Sequence, residues 1–220
     1  MSQLIVLRNI FIGIGLLLAT TVNAQEREDL IIMNNEHFRI HIVRPTLKLM
    51  DGYIKGMWSE AAENLLVGTA IMESDLAYLK QKNGPALGVY QIEPFTHKDI
   101  TERYIEESKF RDEFGNMFDN MVGWPYPATL NVEGELVEAI LDDDGNFEDR
   151  PYEFDINQLI FDLRYATMIA RIKYWMSVEP LPSANDIHAL GHYWNKNYNA
   201  NPDVGTAEQF ESKYRKAHNL

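Results

Sequence analysis

The 220 residues, 45% of them hydrophobic and 11% aromatic, suffice for one sizeable core, and no segment repeats with a solenoid-like period. Asp and Glu number 33 against 20 Lys and Arg, and the resulting net charge of −13 argues against nucleic acid as a partner. Cysteine is absent, which rules out disulfides and a thiol nucleophile.

In chain order, the first 24 residues have the three parts of an export signal. Arg8 is their only charge, an apolar run follows from Ile10 to Leu18, and Val22-Asn23-Ala24 ends it with small residues suited to signal peptidase. The run is too short for a comfortable permanent anchor. Removal of residues 1–24 and export to the cell envelope, the periplasm, is the expectation.

A helical pattern over residues 36–50 is broken or kinked at Pro45. The next helix, over 60–74, is capped by Ser59 and has Ala62, Leu65, Leu66, Thr69 and Met72 along one face, with Glu60, Glu63 and Asn64 on the wet side. Glu73 continues the apolar face. Periodicity leaves two readings of it open: a carboxyl emerging from the buried stripe, or a solvated residue at a fraying end near Gly84 and Pro85. In the first reading burial disfavours the charged form, and the side chain stays protonated near neutral pH as a general acid.

Gly88-Val89-Tyr90-Gln91-Ile92-Glu93-Pro94-Phe95-Thr96 follows as a loop. Gly88 allows close backbone approach to a sugar, and Gln91 offers a donor and an acceptor to a hydroxyl or an N-acetyl group. Thr96-His97-Lys98-Asp99 fits a capping box, so a helix is expected over 97–107 with the Thr96 hydroxyl consumed at its start.

From about 119 to 156 the pattern lapses into what looks like an insertion. Trp124 and Tyr126 suggest either packing or a sugar-stacking wall, and an acidic run around Gly145 suggests a hairpin between Leu136 to Leu141 and Asn146 to Phe154. An EF-hand fails there, because with Gly145 at the sixth loop position the first ligand would be Ile140. Helical periodicity resumes over 157–178, where Leu159, Leu163, Ala166, Ala170 and Tyr174 form a stripe. Ser183 to Asp186 is a capping box for a helix with Ile187, Leu190, Gly191 and Trp194 inward, and Thr206 to Gln209 opens the last helix, anchored by Phe210 and Tyr214. His188 and His192 lie four apart, but a zinc protease would need Glu at 189, where the chain has Ala189. They are read as surface or supporting histidines, and no metal or cofactor is expected.

Lytic transglycosylases of the goose-type lysozyme-like class carry a Glu-Ser pair at a helix end, then Gly-Leu-Met-Gln-x-x-Pro-x-Thr, then Ala-Tyr-Asn on a later helix. The chain resembles them in the order and roughly in the spacing of Glu73-Ser74, Gly88 to Thr96 and Gly191-His192-Tyr193-Trp194-Asn195. The likeness, in particular to transglycosylase-like proteins of bacteriophages, runs from about Glu36 to the C-terminus. Val89-Tyr90 replaces Leu-Met, and Trp194 follows Tyr193 where Asn is usual, with Asn195 one place late.

The resemblance implies a mainly α, lysozyme-like domain over 33–220, with Glu73 as the single acid and base. Ser74, Gly88, Tyr90, Gln91, Tyr193, Trp194 and Asn195 would contact substrate. It implies cleavage of the bond between N-acetylmuramic acid and N-acetylglucosamine to a 1,6-anhydro product. Because the likeness begins just after Met33, translation starting there, or a leader kept as a tether, competes with export. A hydrolase using Asp75 or Glu93 as second carboxylate, either a muramidase or a chitinase, is one alternative. A non-catalytic module for glycan binding or virion assembly is another. The acidic charge opposes approach to an anionic wall polymer, so delivery by a phage virion or by other envelope proteins is expected.

Overall fold

The structure, a computed structural model, describes residues 33–122, 128–130, 136–138, 154–199 and 205–220. The expected export signal, Trp124, Tyr126 and the acidic run around Gly145 lie outside the described residues. Those described are mainly helical. Among them no helix is long and apolar enough to cross a membrane.

Helix α1 takes in Asn35–Phe38, a π-helical Arg39–Val43 and Arg44–Tyr53. The break expected at Pro45 is replaced by the wider turn just before it. Proline has no N–H, and its ring collides with the carbonyl four residues back, so a turn closed by the longer Arg44 N to Arg39 O bond lets the helix continue. Helix α2 (Glu60–Ser74) starts as expected, with Ser59 accepting the Ala62 N–H at 3.1 Å.

Helix α3 begins earlier than its sequence pattern suggests, running through Pro94–Lys98, a π-helical Asp99–Tyr104 and Ile105–Glu107. Proline is pre-set for a first helical turn, so Glu93 occupies the cap position and Thr96 lies inside the turn instead of capping it. Helix α4 (Arg111–Met121) was not foreseen, although it buries Phe114, Met117, Phe118 and Met121 at helical spacing. Further along, β1 (Ala128–Leu130) pairs antiparallel with β2 (Leu136–Glu138). Leu136 thus pairs with Leu130, upstream of it, and the expected partner segment after Gly145 lies outside the described residues.

The stripe over 157–178 is two helices, α5 (Gln158–Phe161) and α6 (Leu163–Trp175). Asp162 divides them by turning extended and accepting the N–H groups of Arg164 and Tyr165. Helix α7 (Ile187–Asn197) is capped by Asp186, which accepts from Ala189 N at 2.9 Å, so Ser183 is not its cap. Thr206 and Gln209 form the expected capping box at α8 (Ala207–Ala217), and Phe210 and Tyr214 are buried.

Helix α2 lies at the centre and contacts α1, α6, α7 and α8. From Ala61 to Ile71 every residue except Asn64 is buried, as befits a helix covered on all sides. A side chain at Gly68 would collide with the Phe210 ring, which is how α8 comes to lie so close. Glu63, expected on the wet face, is buried. Burial opposes its charge, but Arg44 at 2.6 Å and Arg39 at 3.3 Å outweigh that and hold its pKa below the ordinary value.

Candidate active site

The last turn of α2 presents Glu73, and the chain then reverses through Asp75 and Leu76, both in the left-handed region at φ 50° and 55°. Ser74 is buried beneath this turn. Its hydroxyl lies 2.7 Å from Val89 O and 3.1 Å from Ala70 O and accepts the Leu76 N–H at 3.2 Å, so it pins the following loop to the helix end.

That loop is a tight reversal closed by Leu87 N to Ile92 O at 3.0 Å and Ile92 N to Leu87 O at 2.9 Å. Gly88 turns it at φ 72°, where a side chain would also strike the backbone of Leu159 in α5. The need for glycine therefore comes from packing within the protein. Gln91, at φ 45°, donates its side-chain N–H to Gly88 O at 2.8 Å and so braces the turn. Tyr90 is fully buried, with its hydroxyl 3.2 Å from Thr167 Oγ1 and its carbonyl accepting from the Tyr198 hydroxyl at 2.7 Å. Ser74, Gly88 and Tyr90, expected at the sugar, thus belong to the support beneath the site, because each is enclosed and held by protein atoms.

From the third motif, Trp194 is the residue brought to the acid. Its indole N–H donates to Glu73 Oε1 at 3.1 Å, and its ring packs on Phe210 with centroids 5.7 Å apart. Asn195 donates to Gly205 O at 3.1 Å and fixes the segment that flanks the indole. Tyr193 turns elsewhere, donating to Glu179 O at 3.0 Å and lining a separate cavity with Arg171, Trp175 and Leu181. Tyr174 and Tyr198 stand beside the acid in its stead. Both phenols are pushed well up, by burial and by the nearby charge of Glu73.

Glu73 is half-buried. Burial raises its pKa to about 7, against the opposing Trp194 hydrogen bond and the positive charges of Lys173 and Lys213. Lys173 is the residue beside this acid that helical periodicity missed. It projects from α6, donates to Tyr198 O at 2.9 Å and lies 3.8 Å over the Tyr198 ring. Its own pKa is lowered by burial, against the pull of Glu73 and Glu93. The signal available in the sequence is a pair of cations, Arg171 and Lys173, alternating with Ile172 and Tyr174 in a largely apolar run.

Lys173 also lines a cavity of about 390 Å³ with Phe95, Thr96, Asp99, Ser177 and Asn197. Phe95 is 79% exposed, a large flat apolar face in the open. Of the candidate second carboxylates, Asp75 is paired with Lys213 at 2.8 Å on the surface, and Glu93 is exposed at the start of α3. The arrangement supplies one acid that holds its proton near neutrality, one fixed N–H donor on that acid and a neighbouring cation. Comparison with family models, curated proteins and solved structures found no match to this chain.

Proposed function

We propose that this protein is a peptidoglycan lytic transglycosylase with a lysozyme-like fold, cleaving the β-1,4 bond between N-acetylmuramic acid and N-acetylglucosamine. The observation that carries the reading is Glu73, the acid at the end of the central helix, whose pKa of about 7 keeps the proton a leaving oxygen needs. The motif order from Glu73-Ser74 to Tyr193-Trp194-Asn195 supports it.

In this mechanism Glu73 gives its proton to the glycosidic oxygen as the bond from C1 to that oxygen breaks. The carbonyl oxygen of the 2-acetamido group bonds C1 in its place, which removes the need for a second carboxylate. The C6 hydroxyl of the same muramoyl residue then attacks C1 and displaces the acetamido oxygen. Its proton passes to the Glu73 carboxylate, so the acid is restored and no water is consumed. The Trp194 N–H fixes the carboxyl, and Lys173 stabilises the carboxylate that exists between the two steps. Phe95 and the cavity beside it offer a stacking face and walls for a neighbouring sugar.

The net charge of −13 fits a domain carried to the wall by a virion or an envelope complex better than one that diffuses to it. Digestion of purified peptidoglycan in ¹⁸O-labelled water, with mass spectrometry of the muropeptides, tests the chemistry. Anhydro products without label are expected, together with a loss of about 100-fold or more in Glu73→Gln. Reducing ends carrying label would instead make it a hydrolase. The turn of Tyr193 away from Glu73 favours a second reading, a glycan-binding module without turnover. That module would bind wall saturably, and Glu73→Gln would leave the binding unchanged.

A further inference from the structure

On the outer face of α7, His188 and His192 are both exposed, and their Nε2 atoms lie 3.0 Å apart with the rings edge to face. Glu211, from α8, meets His188 Nδ1 at 2.9 Å, and its other oxygen accepts from Arg215 at 2.9 Å. The carboxylate is therefore held on both sides. An acceptor at Nδ1 places the His188 proton there and leaves its Nε2 unprotonated on the side that faces His192. Glu208, in the first turn of α8, adds negative charge that both rings feel.

We propose that His188 and His192 form a surface chelate for a divalent transition metal of the copper or nickel type, with Glu211 orienting the first ligand. With metal to nitrogen bonds of about 2.0–2.1 Å, nitrogens 3.0 Å apart subtend about 91–97° at the ion. That is the angle between neighbouring ligands in square-planar and octahedral sites, whereas tetrahedral zinc would spread the nitrogens to about 3.3 Å. In the bound form His192 carries its proton on Nδ1, the tautomer that frees Nε2 for the ion. Among the described residues no group of three or more potential ligands surrounds an ion position, so the remaining positions stay open to water or to a donor from another molecule. His37 and His41, on α1, share the four-residue spacing, but their rings are 5.3 Å apart, against 4.6 Å for His188 and His192.

The test uses the full untagged chain, stripped with chelator and titrated with copper(II) or nickel(II) chloride near neutral pH by calorimetry, with paramagnetic resonance of the copper form. One ion per chain, copper tighter than nickel, and coupling to two nitrogens are expected. His188→Ala and His192→Ala should each weaken binding at least tenfold, and Glu211→Gln about tenfold, since an outer partner of a ligating histidine typically contributes that much. The paired substitution His37→Ala and His41→Ala should leave the affinity unchanged. Circular dichroism of each variant confirms that the helices remain. Absence of binding by the wild type, one coupled nitrogen, or full affinity in a folded His192→Ala protein would overturn the proposal.

Discussion

Glu73 and His97 respond to pH in opposite directions, and both effects can be read from thermal unfolding. Glu73 has a pKa of about 7 against an ordinary 4.5, so between those values the folded chain retains a proton that the unfolded chain releases. Stability therefore falls as pH rises through that window, and the ionised form above it costs up to about 3 kcal/mol. His97 is buried against the Tyr165 hydroxyl at 2.6 Å, and burial pushes it down to about 4, so its contribution is lost as pH falls from its ordinary 6.5. Glutamine at 73 keeps an oxygen for the Trp194 N–H without the charge. Glu73→Gln should raise Tm near pH 8 and leave it almost unchanged below about pH 4, where both states are protonated. Equal gains at both pH values would show that Glu73 is not the group responsible. Lys173 yields a kinetic prediction. Its charge draws the Glu73 pKa down, so Lys173→Met should move the alkaline limb of the pH-activity profile to higher pH, and a limb that stays put would remove Lys173 from the site.

At the scale of elements, what could be read from sequence was whatever depends on near neighbours in the chain. Ser59, Thr206 and the apolar run before Glu73 are local signals, and the helices they announce are present. Lys173 and Tyr198 reach Glu73 from α6 and from just beyond α7, and helical periodicity reports a face without naming what packs on it. The same gap placed Glu63 in water, because its partners Arg39 and Arg44 lie on another helix. Pro45 advertised a disturbance but not its form, since a π-turn and a kink both relieve the missing donor. The ion-paired triad fastens α1 to α2, with side-chain exposures of 9% for Arg39, 3% for Glu63 and 41% for Arg44. Glu63→Ala removes the buried counter-charge of Arg39, which keeps the exposed Glu36 at 3.5 Å and the neutral Asn64 and Tyr214, and should cost about 3 kcal/mol in urea unfolding. Arg44→Ala should cost less, because water already reaches its guanidinium. Equal losses would mean that packing, not the enclosed charge, sets the cost.

For the whole molecule, the balance of 33 acidic against 20 basic side chains matters most at the moment of encounter. On the proposed function, glycan strands bearing acidic stems repel such a surface, while the half-buried Glu73 adds to the repulsion only as pH rises through about 7. Screening acts over about 8–10 Å at physiological salt and over about 30 Å at ten millimolar, so added salt should shrink the long-range barrier and leave the enclosed chemistry alone. For the freely diffusing protein acting on purified wall, KM should fall as ionic strength rises from about 10 to 150 mM, with kcat nearly constant. A basic enzyme steered to the same polymer would show the reverse. Tethering the chain to a surface already coated with peptidoglycan should abolish the salt effect, since effective concentration then replaces diffusion. Persistence of the effect under tethering would place the charge sensitivity within the site, at Lys173 and Glu73, and not in the approach.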